Sequence, residues 1–267
     1  MTTLSQVIVD GLAVAYREAG AGPPLVLLHG FTQDSRVWRP QLAGLADALT
    51  VLAWDAPGAG ASDDPPDRYG LTDWADCLAR FLDLVGIDRA VIGGLSWGGL
   101  LAQELYARHP ARVRALVLAD TYAGWSGSLG PSIAEERLAA CIRDSALSPK
   151  EFVPRYLPGM FGPSVPSAIR DELATIMADT HPIGFRLMAA ALAHADTREL
   201  LPTVAVPTLL IWGDQDVRSP ISIAHDFRGA IPGSSLAVIP GAGHVSNLER
   251  ADAFNLAVRC ALDVGPC

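Results

Sequence analysis

GGLSWGG, residues 93–99, decides how the rest of the chain is read. The apolar run AVI leads into it, and a helical pattern over 97–109 leads away. Inside it, Gly94-Leu95-Ser96-Trp97-Gly98 has the form G-x-S-x-G. Between a strand and a helix this pattern makes a sharp, strained turn, and a side chain at either glycine would collide with the neighbouring strand or helix. The turn lifts Ser96 Oγ out of the sheet at the C-terminal end of its strand. It also sets the serine at a helix N-terminus, where free N–H groups and the helix dipole favour developing negative charge. A glycine-rich turn with an incidental serine is the plain alternative. The strand before and the helix after favour a nucleophile.

Outward from this turn, strand and helix signals alternate. QVIVDG and LAVAYREAG form a hairpin through Asp10-Gly11, and PLVLL, TVLAW and VRALVLA are short apolar strands. Helices are expected over 36–48, over 97–109, and from a cap at Thr72 through Leu84. Apolar strands alternating with helices predict an α/β fold: a mostly parallel sheet covered on both faces. The alternation stops at Tyr122 and resumes after Pro207 with TLLIWGD, a helix near 220–229, LAVIPGAGH and a last helix over 250–263. In between, helical patterns at 132–146, 149–157, 166–178 and 182–195 are separated by Gly and Pro. The expected organisation is a core of residues 1–121 and 202–267, interrupted by a helical insertion over 122–201.

Composition narrows the function classes. The chain has 267 residues, half of them apolar, with a net charge of −9 and Lys150 as its single lysine. No basic stripe is present to neutralise phosphates, so nucleic acid is not an expected partner. No apolar run is long enough for a membrane helix, and the N-terminus lacks a signal peptide's basic start and apolar stretch. A cytoplasmic setting is expected. Cys77, Cys141, Cys260 and Cys267 are widely spaced and read as free thiols rather than a disulfide framework.

A serine hydroxyl is a weak nucleophile at neutral pH; it needs a base, and the base needs an orienting acid. Asp214 and Asp216 follow the strand TLLIW, and His244 follows LAVIP. Both fall just past strand C-termini, on the rim where Ser96 emerges and where open α/β sheets bind ligands. Of six histidines, His109 ends a helix, His194 and His225 lie inside helices, His181 opens one, and His29 belongs to another turn. His244 is therefore the candidate base. Asp216 is preferred to Asp214, because the loop needs a residue or two to turn a carboxylate toward the histidine. Asp120, after VRALVLA, is a third candidate acid. An oxyanion needs two N–H donors. The candidates are Trp97, after the serine, and Phe31, in Leu28-His29-Gly30-Phe31. His29 is expected to anchor that loop.

Four signatures in this order resemble the serine α/β-hydrolase superfamily over nearly the whole chain. They are His29-Gly30, the D-x-P-G-x-G-x-S run Asp55–Ser62, the serine turn at 94–98, and the G-x-x-D and G-x-G-H pair ending in Asp216 and His244. Asp55–Ser62 reads as a structural turn. GLSWGG and the tail HVSNLERADAFN (244–255) are similar to 3-oxoadipate enol-lactonases and related lactonases and esterases. The insertion and the loop after Gly30 depart from that group, so the substrate is not carried over. Serine at 96 departs from the branches with an aspartate nucleophile, epoxide hydrolases and haloalkane dehalogenases. HGFTQD lacks the H-G-x-G-P-G of carbon–carbon bond hydrolases. The resemblance implies an α/β-hydrolase fold with a helical cap, attack by Ser96 on an ester or lactone carbonyl, and no cofactor or metal.

Aromatic and methionine residues flanking the insertion suggest an apolar site for a small ester or lactone. The expected lining is Phe31, Trp97, Tyr122, Trp125, Met160, Phe161, Phe185, Met188 and Val245, with Trp97 narrowing it. Arg155 and Arg186 are candidate carboxylate binders, although solvated arginines on the insertion are the plainer reading. A perhydrolase using the same residues, and a ligand receptor on this fold, are alternative functions. A homo-oligomer through the last helix is an open possibility.

Overall fold

A computed structural model describes residues 2–265; Cys267 lies outside them. In chain order the strands are β1 (Thr3–Val9), β2 (Leu12–Ala19), β3 (Pro24–Leu28), β4 (Thr50–Trp54), β5 (Ala90–Leu95), β6 (Val113–Ala119), β7 (Thr208–Gly213) and β8 (Ser235–Ile239). The α-helices of the first half are α1 (Arg39–Gly44), α2 (Leu71–Leu84) and α3 (Trp97–Arg108). The insertion contributes α4 (Gly124–Leu129), α5 (Pro131–Asp144), α6 (Pro149–Tyr156), α7 (Ser167–Ala178) and α8 (Pro182–His194). The last part adds α9 (Ile221–Ala230), α10 (Ser246–Glu249) and α11 (Ala251–Leu262).

The eight strands form one sheet in the order β1-β2-β4-β3-β5-β6-β7-β8. The β1–β2 hairpin turns through Asp10 and Gly11, both at positive φ, and β2 joins β4 antiparallel. From β4 onward every pairing is parallel. The apolar runs explain this. All six residues of β5 and of β7 are buried, as a strand with helices on both faces requires. Amphipathic α2 covers one face with Trp74, Cys77, Leu78, Phe81 and Leu82, spaced three and four apart.

The parallel register aligns the strand ends. Leu28 pairs with Gly94, Leu95 with Ala119, Ala119 with Ile211, and Gly213 with Ile239. Ser96, Asp120, Asp216 and His244 thus all leave the sheet along one rim. The chain also reverses its direction of strand addition at β3, whose neighbours are β4 and β5. That reversal opens the crevice where α/β sheets take ligands.

Several local expectations need correction. Residues 36–48 are not one helix but a 3-10 turn, Ser35–Trp38, followed by the short α1, which ends at Gly44. Thr72 does not cap α2; Gly70 does, and its N–H donates to Asp73 Oδ2 at 2.7 Å. Helix α4 was not expected, since its sequence GWSGSL is poor in helix formers. Cys77, Cys141 and Cys260 are free, and burial pushes the thiols of Cys77 and Cys141 up to about 11. Among the described residues, no helix is long and apolar enough to cross a membrane.

Candidate active site

Ser96 sits between β5 and α3 at φ 53°, ψ −113°, a conformation that costs a non-glycine residue about 1–3 kcal/mol. The surroundings hold it there. A Cβ on Gly94 would stand 2.2 Å from the Gly98 carbonyl oxygen, and one on Gly98 would stand 2.2 Å from that of Leu28. These glycines let α3 begin directly against β5 and the end of β3. The Thr121 hydroxyl donates to the Ser96 carbonyl at 2.6 Å, tying the turn to the end of β6.

The rim brings the expected partners together. His244 Nε2 lies 2.9 Å from Ser96 Oγ, and Nδ1 lies 2.7 Å from Asp216 Oδ2. The hydrogen-bond pattern assigns the proton to Nδ1 and leaves Nε2 to accept from the serine. Asp216 Oδ1 accepts from the N–H groups of Arg218 (2.8 Å) and Ser219 (3.0 Å), which fixes the carboxylate's orientation. Asp214 does a different job: it is exposed, and its Oδ1 accepts from the Gly241 N–H at 2.7 Å in the His244 loop. Ser96 and His244 are each only 4% exposed, so the hydrogen bonds between them are shielded from water.

The loop after β3 lies beside the serine. His29 is fully buried; its Nδ1 donates to the Gly30 carbonyl at 2.9 Å, and its Nε2 accepts from the Ala56 N–H at 3.1 Å. That pairing anchors the loop and requires a neutral ring; burial, above all, lowers the His29 pKa. Among the described residues, neither the Phe31 nor the Trp97 N–H donates a hydrogen bond. Trp97 directly follows Ser96 in the chain, and both N–H groups have the donor capacity an oxyanion needs. The run Asp55–Ser62 is structural as expected: Asp55 accepts from the Ser35 and Ala61 N–H groups.

The expected lining residues gather around Phe31 and His244, with one exception. Phe185 stacks on Phe31 at 4.7 Å, Trp125 meets Phe31 edge-on at 6.1 Å, and Tyr122 stands 6.2 Å from the His244 ring. Met188, one turn beyond Phe185, is buried over the Thr32–Asp34 segment. The Met160 carbonyl accepts from the Val245 N–H at 3.2 Å, and the Phe161 backbone lies against Gly243. The exception is Trp97. Its fully buried ring packs edge-on to Trp74 at 5.1 Å and lies 5.9 Å from His29, so its contacts are those of a core residue. Arg155 pairs with Asp144, and Arg186 forms no ion pair among the described residues.

Other contributors carry no motif in the sequence. Phe152 and Tyr156 on α6 enclose Phe185 at 5.0 and 5.3 Å; their four-residue spacing on a helix was the available signal. Glu249 receives the Gly162 N–H at 2.9 Å and the Gly243 N–H at 2.7 Å, joining the insertion to the His244 loop. Asp120 is fully buried, accepting from the Gly213 N–H at 2.9 Å and the Ser246 hydroxyl at 2.6 Å.

A family model described as the alpha/beta hydrolase fold matches residues 23–162. The chain is 28% identical over 247 residues to 3-oxoadipate enol-lactonase 2 of Acinetobacter baylyi, covering 90% of this chain and 88% of that one. The solved thermophilic esterase of Thermogutta terrifontis, with malate bound, superposes with a TM-score of 0.90 at 27% identity over 98% of each chain. The enol-lactonase of Burkholderia xenovorans LB400 superposes at 0.87 with 27% identity, over 97% of this chain and all of that one.

Proposed function

The chain belongs to the α/β-hydrolase family, and from that premise we propose that it cleaves a carboxylic ester or lactone through an acyl-enzyme on Ser96. The observation that carries this reading is the unbroken hydrogen-bond chain from Asp216 through His244 to Ser96. His244 Nε2 takes the hydroxyl proton as Ser96 Oγ attacks the carbonyl carbon. The N–H groups of Phe31 and Trp97 receive the oxyanion. Asp216 accepts from Nδ1–H, keeps the imidazole in the working tautomer and stabilises its cationic form. Collapse of the tetrahedral intermediate expels the alcohol, protonated by His244. Water then repeats the sequence, releasing the acid and restoring Ser96. A lactone gives a single hydroxy acid, because its leaving alcohol stays tethered. The cycle needs no cofactor.

The substrate reading draws on the aromatic enclosure around Phe31 and on the lactonase and esterase among the relatives. The test is hydrolysis of a panel of p-nitrophenyl esters and of γ-, δ- and enol-lactones by wild type and Ser96→Ala. Activity abolished in a variant that stays folded by circular dichroism is expected. Equal turnover by both proteins overturns the reading.

A further inference from the structure

The loops that carry Asp216 and His244 both touch one segment of the insertion, residues 156–162, which runs from the last residue of α6 toward α7. On the side of the base, the Val245 N–H donates to the Met160 carbonyl at 3.2 Å. Glu249 Oε1 accepts from the Gly243 N–H at 2.7 Å, and its Oε2 accepts from the Gly162 N–H at 2.9 Å. The residues before and after His244 are therefore both held to this segment. A Cβ on Gly162 would stand 2.3 Å from the Gly241 carbonyl oxygen, so the two backbones meet directly. On the side of the acid, Arg218 Nη2 donates to the carbonyls of Tyr156 (2.5 Å) and Pro158 (2.9 Å). The backbone N–H of the same arginine is one of the two that orient Asp216.

Glu249 is the bridge between the two backbones. It is 5% exposed, and it spends each oxygen on an N–H of irregular chain. Such N–H groups, packed away from water without a strand or helix ladder, need an acceptor. A carboxylate is costly to bury, but its hydrogen bonds are roughly twice as strong as neutral ones. The result is a stiff link, and stiffness matters beside a base: a misplacement of about 1 Å can cost about a hundredfold in rate.

We propose that Glu249 is a positioning residue for His244, and that residues 156–162 hold the base through Glu249 and the acid through Arg218. This rests on Ser96, His244 and Asp216 acting as proposed above. The insertion then helps to align the reacting groups as well as covering them.

The test reads hydrolysis of p-nitrophenyl acetate and, separately, the tautomer of His244. Long-range nitrogen–proton NMR above neutral pH shows which ring nitrogen carries the proton, with no substrate present, and His244→Gln identifies the signal. In wild type the proton should sit on Nδ1, toward Asp216. Glu249→Ala should lower kcat about tenfold or more per folded molecule, with KM little changed. It should also move His244 toward a mixture of tautomers, because the bond to Asp216 that selects Nδ1–H is loosened. Glu249→Gln keeps one oxygen for one of the two N–H groups and should recover part of both effects; it carries the same two readouts if the alanine variant does not fold. Arg39→Gln breaks a different link between core and insertion, the 2.8 Å pair with Glu172, and should leave kcat and tautomer as they were. A loss of stability alone, with kcat per folded molecule and tautomer unchanged, overturns the role of Glu249, and so does a loss of kcat with the wild-type tautomer kept. Because the tautomer is read without turnover, its shift in the Glu249 variants supports the positioning role even if no ester is cleaved. Ester hydrolysis by wild type beside an unmoved tautomer in the variants removes that role and leaves the hydrolase reading standing.

Discussion

Asp120 and Ser246 are joined by a 2.6 Å hydrogen bond that ties the end of β6 to the loop two residues past His244. The other oxygen of Asp120 holds the Gly213 N–H, so one buried carboxyl links three strand ends of the rim. Burial, and then the charge of Asp216, hold this carboxyl well above the usual range. Asp120→Ala leaves two buried donors without acceptors, each costing about 1–3 kcal/mol. Urea unfolding should show that loss at pH 7. An unchanged midpoint would mean the two donors find other acceptors.

Asp216 and Asp214 differ by two residues and by role. Asp216→Asn keeps the shape but turns an acceptor of Nδ1–H into a possible donor, favouring the wrong tautomer. In a serine protease the same change costs about 10⁴ in kcat, and a loss of that order is expected here with KM little changed. Asp214→Asn removes only a charge from an exposed hydrogen bond to Gly241 and should cost less than about tenfold. Steady-state kinetics on one ester decides between them, and equal losses would contradict the assignment.

The parts legible in the sequence were those with local signals. Ser96, Asp216 and His244 each sit in a glycine-marked turn after an apolar run, so local pattern and place in the chain point to the same residues. The parts not legible depend on partners far apart in the chain. Glu249 matters because of Gly162, and Arg218 because of Tyr156 and Pro158; no spacing rule connects them. Trp97 shows the converse. Its place beside the serine suggested a wall of the site, but a side chain's direction is set by packing, here against Trp74 and His29.

That packing sets the outcome for Trp97→Ala. Emptying a fully buried Trp site should destabilise the fold by about 3–5 kcal/mol. The chain-length preference among esters should stay the same, since the ring's contacts are with the core. Thermal unfolding and an ester series on the surviving protein read both halves. A changed preference with intact stability would restore Trp97 as a wall of the site.

Phe185 should behave in the opposite way. Its ring stacks on Phe31 and also borders a cavity of about 220 Å³ between α6, α7 and α8, lined by Phe152 and Met177 among others. Phe185→Ala merges that space with the surroundings of Phe31. The preferred acyl chain should lengthen, read as a shift of the kcat/KM maximum along a p-nitrophenyl ester series. An unmoved maximum would place the acyl group elsewhere.

His29 gives the pH dependence its sign. Nε2 accepts from the Ala56 N–H, and only an unprotonated nitrogen can do that. Burial lowers its pKa in the folded protein, outweighing Gly30, Asp55 and Asp34, which all act to raise it. The unfolded chain protonates this histidine near its ordinary value of about 6.5. Below that pH the unfolded state binds a proton that the native state refuses, so stability is lost as pH falls. Above about 6.5 the contribution is complete; below it, the loss approaches about 1.4 kcal/mol per pH unit until the folded pKa is reached. His29→Gln removes the titration, since an amide oxygen can accept from Ala56 at any pH. Urea unfolding of both proteins between pH 7.5 and 5 isolates the term from the carboxylates they share. The wild type should lose stability more steeply below pH 6.5, and parallel curves would mean that native His29 takes up the proton and gives up its bond to Ala56.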